Sequence, residues 1–207
     1  MAWLNTLERA KHDVEGWNSA QDYIKSFQQY GGQETHNTRN QTQAEWVRPP
    51  TGWVKCNYDG SYNPLTQASK AGWVLRDDEG TYRGAGQAVG VSTNSALESE
   101  FQALIMAMQH TWSQGYRRVI FEGDCKRVEE LMNNKTISFG SFNWIREGKA
   151  WQNRFSEVTF TWTSRSTNQP ADILATTRLP NNSLFQYHFY IPSFLTNALH
   201  CNHFQFH

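Results

Sequence analysis

The sequence predicts an α/β domain: a mixed five-stranded sheet, three antiparallel strands and then parallel ones, flanked by helices. Three observations carry this reading. Short apolar runs separated by turn residues fill 53–88, which is the signature of consecutive antiparallel strands. A single amphipathic stretch then spans about twenty residues. After it, short apolar strands alternate with helical segments, as they do when strands pair in parallel.

Pro49-Pro50-Thr-Gly52 punctuates the start of the domain. Trp53 to Tyr58 reads as the first strand, Asn63 to Lys70 as a polar turn, and Ala71 to Leu75 as the second strand. Asp77-Asp-Glu-Gly80 is a hairpin turn, and Tyr82 to Ala88 is the third strand. From Ser95 to Gln114 the residues Leu97, Phe101, Leu104, Ile105, Met108 and Trp112 share one helical face. Asn94 or Ser95 can cap that helix and Gly115 can end it. Arg118 to Glu122 is a fourth strand, Lys126 to Met132 a helix, and Phe142 to Phe155 a further short helix. Val158 to Thr163 alternates as a fifth strand, and Asn168 to Thr177 is a last helix with Pro170 in its first turn.

The flanks are different in character. Residues 1–30 place Trp3, Leu4, Leu7, Ala10, Val14, Trp17, Ile24 and Phe27 at helical spacing, which predicts an amphipathic extension. Residues 31–50 are polar and aperiodic and read as a flexible linker. The folded domain is expected over 51–178, and 179–207 forms an aromatic, poorly periodic tail.

The chain of 207 residues has 19 basic and 19 acidic residues, so no global positive field draws in nucleic acid. A polyanionic partner would need a local patch, and its binding would be weak and salt-sensitive. The three cysteines, Cys56, Cys125 and Cys201, are far apart and form no C-x-x-C pair, which argues against a zinc site or a disulfide framework. The N-terminus lacks a signal-peptide core and no run is apolar enough to span a membrane, so we expect an intracellular, nuclear or cytoplasmic protein.

Four acids stand at element boundaries: Asp59 on the first strand, Glu100 in the long helix, Asp124 after the fourth strand and Asp172 at the start of the last helix. Together they suggest a carboxylate cage for hard divalent cations, which take oxygen ligands and work in nucleases as pairs about 4 Å apart. Each acid also has a plainer reading. Asp59-Gly60 is a possible turn, Asp124 a helix cap, Asp172 an acid at a helix dipole, and Glu100 a solvated residue with Glu98 as its rival. Glycine at 60 would let another backbone, such as a nucleic-acid sugar edge, come close.

Five motifs in order bear a resemblance. They are Lys55-Cys-Asn-Tyr-Asp-Gly-Ser61, Ala71-Gly-Trp-Val-Leu-Arg-Asp77, Leu97-Glu-Ser-Glu-Phe-Gln-Ala-Leu104, Gly115 to Lys126, and Arg165 to Ala175. Over about 45–180 the chain resembles the type 1 ribonuclease H family, and more closely the plant domain found alone or at the end of non-LTR retroelement reverse transcriptases. The resemblance implies an RNase H-like fold and cleavage of the RNA strand of RNA–DNA hybrids with two Mg²⁺ ions, with Mn²⁺ able to substitute. It implies Asp59, Glu100, Asp124 and Asp172 as catalytic metal ligands. Backbone at Gly60 and Ser61 and the side chains of Asn94 and Lys126 would contact the substrate's 2′-hydroxyls. The chain departs from the family in two places. Trp162 stands where many members carry a mobile histidine, and the lysine-rich helical arm of some bacterial members is missing between Met132 and Val158. We therefore expect a monomer whose hybrid affinity depends on an attached partner domain, with a weakly active or inactive nucleic-acid-binding module as the alternative.

Overall fold

The sheet is built around β1 (Val54–Tyr62), with β4 (Arg118–Gly123) parallel on one side and β2 (Ser69–Asp77) antiparallel on the other. The computed structural model describes residues 45–180 and 183–201. The expected N-terminal helices (1–30) and the linker up to residue 44 lie outside the described residues. β5 (Glu157–Trp162) pairs parallel with β4, and β3 (Tyr82–Val89) pairs antiparallel with β2. β6 (Phe185–His188) completes the order β5-β4-β1-β2-β3-β6. The helices are α1 (Ala96–Ser113), α2 (Lys126–Met132), α3 (Phe142–Gln152), α4 (Gln169–Thr176) and α5 (Thr196–Cys201).

The mixed sheet has the expected sense of pairing but six strands instead of five. The sixth comes from the tail, where Ala85↔His188 through Ala88↔Phe185 pair antiparallel. The aromatic side chains that broke the period there are the ones that dock. The Phe185 ring stacks 6.2 Å from Trp73, and Tyr187 lies 4.7 Å from the His110 ring. At the other end of the domain Trp46, within the expected linker, is buried and donates from its indole nitrogen to Asn57 at 2.9 Å.

Local chemistry fixes the turns and caps. The Asp77 carboxylate accepts from the amides of Glu79 and Thr81, and Gly80 takes the left-handed backbone (φ 81°) that closes the hairpin. Ser95 caps α1 by accepting from the Glu98 amide, while the Glu98 carboxylate returns to the Asn94 amide at 2.8 Å. This reciprocal capping box assigns Glu98 to the helix end. Gly115, at φ 90°, ends the helix.

Residues alternate across β1. Cys56 and Tyr58 face a large core with Trp73, Phe101, Leu104, Met108, Phe121 and Leu131, which α1, α2 and α3 cover. Each fully buried Leu or Phe of this kind contributes roughly 1.5–3 kcal/mol. The other face carries a smaller core of Val74, Ala85, Leu174, Leu195 and Leu199 under α4 and α5. α4 lies so close to β2 that a Cβ on Gly72 would meet the Ala175 amide at 2.3 Å. No helix among the described residues is long and apolar enough to cross a membrane.

Candidate metal centre

β1 runs four residues past the expected end, because its ladder with β2 continues through Asp59↔Gly72 to Tyr62↔Ser69. Asp59 is therefore held inside a strand at the centre of the sheet and is buried. α1 meets this strand almost backbone to backbone. A Cβ on Gly60 would stand 2.6 Å from the Ser99 carbonyl oxygen, and the Ser99 hydroxyl donates to the Ser61 carbonyl at 2.9 Å. That approach carries Glu100, the next residue of α1, to Asp59. Asp124 follows the carboxyl end of β4, the parallel neighbour of β1. Carboxylate oxygens of Asp59, Glu100 and Asp124 all lie within 4.8 Å of one another.

Two unit charges at that separation repel by about 3.5 kcal/mol at an effective dielectric of about 20. The carboxyls answer by holding protons. Burial, then the charges of Asp124 and Asp172, push Asp59 up to about 8. Burial and the charges of Asp59 and Asp124 push Glu100 well above the carboxylate range, against a hydrogen bond from the Gly60 amide. Asp124 is raised as well, chiefly by burial, and it accepts a hydrogen bond from Asp59. Oε2 of Glu100 is buried without any hydrogen-bond partner. A buried carboxylate oxygen left unserved beside two further acids fits a divalent cation, whose charge would replace the protons. The donor set is all oxygen, which suits a hard cation.

Asp172 stands outside this close trio but within reach of its field, since it raises both Asp59 and Asp124. It is held by Arg165, whose Nη2 lies 3.1 Å from Oδ1 of Asp172. The Arg165 side chain is largely exposed and lowers the pKa of all three acids of the trio. The N-cap of α4 anchors that helix from below. Asn168 is fully buried and donates to the Tyr58 carbonyl at 2.9 Å, and Asp172 lies one helical turn further on.

Trp162 ends β5 half-exposed and donates from its indole nitrogen to the Asp124 carbonyl at 2.9 Å. The other expected substrate contacts are spread around this end of the sheet. Gly60 and Ser61 continue β1, with the Ser61 carbonyl committed to Ser99. Asn94 is exposed before α1, where its amide serves the cap, and Lys126 is exposed as the first residue of α2. The sequence reading passed over Arg165 and Asn168, although both lie in the last motif. Their partners are a residue seven positions on and a strand 110 residues back, and no local pattern reveals either.

Solved structures share the fold. RNase H1 from the halophilic archaeon Halobacterium salinarum NRC-1 is 23% identical, with a TM-score of 0.56 over 60% of this chain and 95% of that one. The N-terminal RNase H domain of Rv2228c from Mycobacterium tuberculosis is 20% identical, with a TM-score of 0.54 over 59% and 90%. LC11-RNase H1, solved in complex with an RNA/DNA hybrid, is 19% identical, with a TM-score of 0.50 over 59% and 91%. A curated relative from Arabidopsis thaliana named "Putative ribonuclease H protein" is 34% identical over 83 residues, which is 40% of this chain and 13% of the relative. The chain thus spans a small part of that relative's length. A family profile described as "Reverse transcriptase-like" matches residues 57–178, more than half of the chain and every strand but the sixth from Asn57 onward. The chain belongs to this reverse transcriptase-like family and carries its domain in an RNase H-like fold.

Proposed function

We propose that this protein is a divalent-cation-dependent endonuclease that hydrolyses the RNA strand of RNA–DNA hybrids. The observation that carries the reading is the trio of Asp59, Glu100 and Asp124, brought within 4.8 Å by three different elements at a cost in charge repulsion. The names of the Arabidopsis relative and of the hybrid-bound LC11 structure support the substrate class.

In this reading Asp59, Glu100 and Asp124 hold Mg²⁺, or Mn²⁺ in its place, and Asp172 completes the set. A pair of such ions would supply an activated water and charge stabilisation at the leaving 3′ oxygen, giving 5′-phosphate products. The chain's own residues do the rest. To hold a cation, Asp59 would give up the proton it shares with Asp124, so binding would release protons and tighten as pH rises. The Gly60 amide orients the Glu100 carboxylate. The Trp162 indole pins the carbonyl of Asp124 and keeps that carboxylate at the end of β4. Arg165 restrains Asp172 and offers an exposed cation beside the acids, suited to a phosphate of the backbone. Backbone at Gly60 and Ser61, with Asn94 and Lys126, is the proposed 2′-hydroxyl reader.

Incubating the full chain with an end-labelled RNA–DNA hybrid and Mg²⁺ tests this. Cleavage of the RNA strand that vanishes with EDTA and in Asp59→Asn is expected. Hybrid binding with no cleavage above the Asp59→Asn background would establish the binding module instead.

A further inference from the structure

Trp162 is the one exposed tryptophan of the seven among the described residues, and the other six are covered. Trp46, Trp53, Trp112 and Trp151 each have an arginine guanidinium within 3.6, 5.5, 4.5 and 4.4 Å of the ring centre. Trp73 stacks with Phe185, and Trp144 packs on the larger core. Among the described residues neither an arginine nor a second ring stacks on Trp162, and 50% of it is open to solvent.

The side chain is exposed and yet held. Trp162 closes β5 opposite Gly123, and the next amide, that of Thr163, donates to the Gly123 carbonyl at 3.0 Å. The indole nitrogen donates to the Asp124 carbonyl at 2.9 Å. That nitrogen is the only polar atom of the side chain, so what Trp162 offers to the outside is carbon. Asp124 is also a member of the acid trio. A fixed carbon surface therefore stands at the rim of the proposed metal centre, where leaving it in water forgoes the gain of burial.

A nucleic-acid duplex presents three kinds of surface at such a rim. Its phosphates call for cations, and Arg165, three residues on and largely exposed, is placed to meet one. Its bases are stacked on one another and show only polar edges in the grooves. Its sugars carry the carbon surface that an uncharged ring can cover. We infer that Trp162 is a substrate contact of this site, the open carbon of its indole packing on a backbone sugar next to the phosphate at the acid trio. This contact presupposes the hybrid substrate proposed above and adds to it a residue that grips the strand without charge.

Fluorescence anisotropy of a labelled RNA–DNA hybrid, titrated with the full chain in EDTA over a series of salt concentrations, tests the contact without cleavage. Half of a tryptophan side chain is roughly 100 Å². Trp162→Leu gives up about half of that cover and should weaken binding about tenfold at every salt concentration. Its slope of log affinity against log salt should match the parent's, because no phosphate contact is lost. Arg165→Gln, by contrast, should reduce that slope by about one. Trp162→Phe loses the same indole hydrogen bond but keeps most of the ring, and should bind within about twofold of the parent. Trp162→Met replaces the leucine variant if that one does not fold. The contact is overturned if the folded leucine or methionine variant binds as the parent does, if Trp162→Phe loses as much as Trp162→Leu, or if the leucine variant changes the slope. A parent chain that does not bind the hybrid at any salt concentration would instead sink the hybrid reading itself, and this contact with it.

Discussion

Replacing Asp59 by Asn should stabilise the cation-free protein and remove its response to Mg²⁺. Asp59 is buried with a pKa near 8 beside two further acids. Its folded value lies above its unfolded one, so the proton's contribution is fully present below about pH 4 and is lost as pH rises towards 8. Keeping that proton at pH 7 costs about 4 kcal/mol, from roughly three units at 1.36 kcal/mol each. Relaxation and water near the site cut this, and we take about half, or about 2 kcal/mol. Asn carries no such cost, has the same shape and can still donate to Asp124. For a chain of this size that is a rise of about 4–8 °C in Tm at pH 7 in EDTA. At pH 4.5 the two proteins should melt nearly together. Adding Mg²⁺ should raise the Tm of the parent and leave Asp59→Asn unmoved. The assay is a pair of melting curves across pH, with and without cation. A variant that melts below the parent at pH 7 in EDTA, or that still gains from Mg²⁺, would refute the argument that this trio is a strained cation site.

The other expectations are local. Glu122→Ala leaves Lys55 buried without its partner and should cost about 3–5 kcal/mol in urea unfolding. Gly60→Ala drives a Cβ to 2.6 Å from the Ser99 carbonyl and must push α1 away from β1. It should cost about 1–3 kcal/mol and, because Glu100 moves with the helix, weaken the Mg²⁺ response in the same melting assay. Trp162→Phe removes the indole hydrogen bond to the Asp124 carbonyl. It should cost about 1 kcal/mol of stability but shift the Mg²⁺ midpoint for hybrid cleavage upward, which a purely structural loss would not do.

Most strands and helices were legible because their periods are local. The alternation from Trp53 to Ala88 and the helical face from Leu97 to Trp112 need no partner to be recognised. β6 was hidden because its four residues show no clean alternation and owe their place to Trp73 and His110 on distant elements. The chain order of the acids was legible, but their distances were not. The approach of Glu100 depends on Gly60 touching the backbone at Ser99, and the place of Asp172 depends on how the helix Gln169–Thr176 docks, with Asn168 bonded to the Tyr58 carbonyl. Glu98 and Glu100 could not be separated by composition. The structure separates them, since Glu98 closes the helix cap and Glu100 keeps an oxygen buried and unserved.

β1 shows why the polar residues of this core do not all carry the same meaning. A strand in the middle of a covered sheet is usually apolar on both faces. Here one face reads Lys55, Asn57, Asp59, all buried. Lys55 is settled by Glu122, and Asn57 by Glu122, Arg76 and Trp46, so these two are satisfied whenever the chain is folded. Asp59 meets the charges of Asp124 and Asp172, which the exposed Arg165 offsets only in part, and without a cation it is settled by a proton. Arg76, one strand over, stacks on the Trp46 ring and donates to the Asn57 side chain, and Glu122 supplies the nearby negative charge. Burial that the protein satisfies internally specifies the fold. Burial that it leaves open needs a proton or a ligand from outside, and at Asp59, beside Glu100 and Asp124, the partner asked for is a cation.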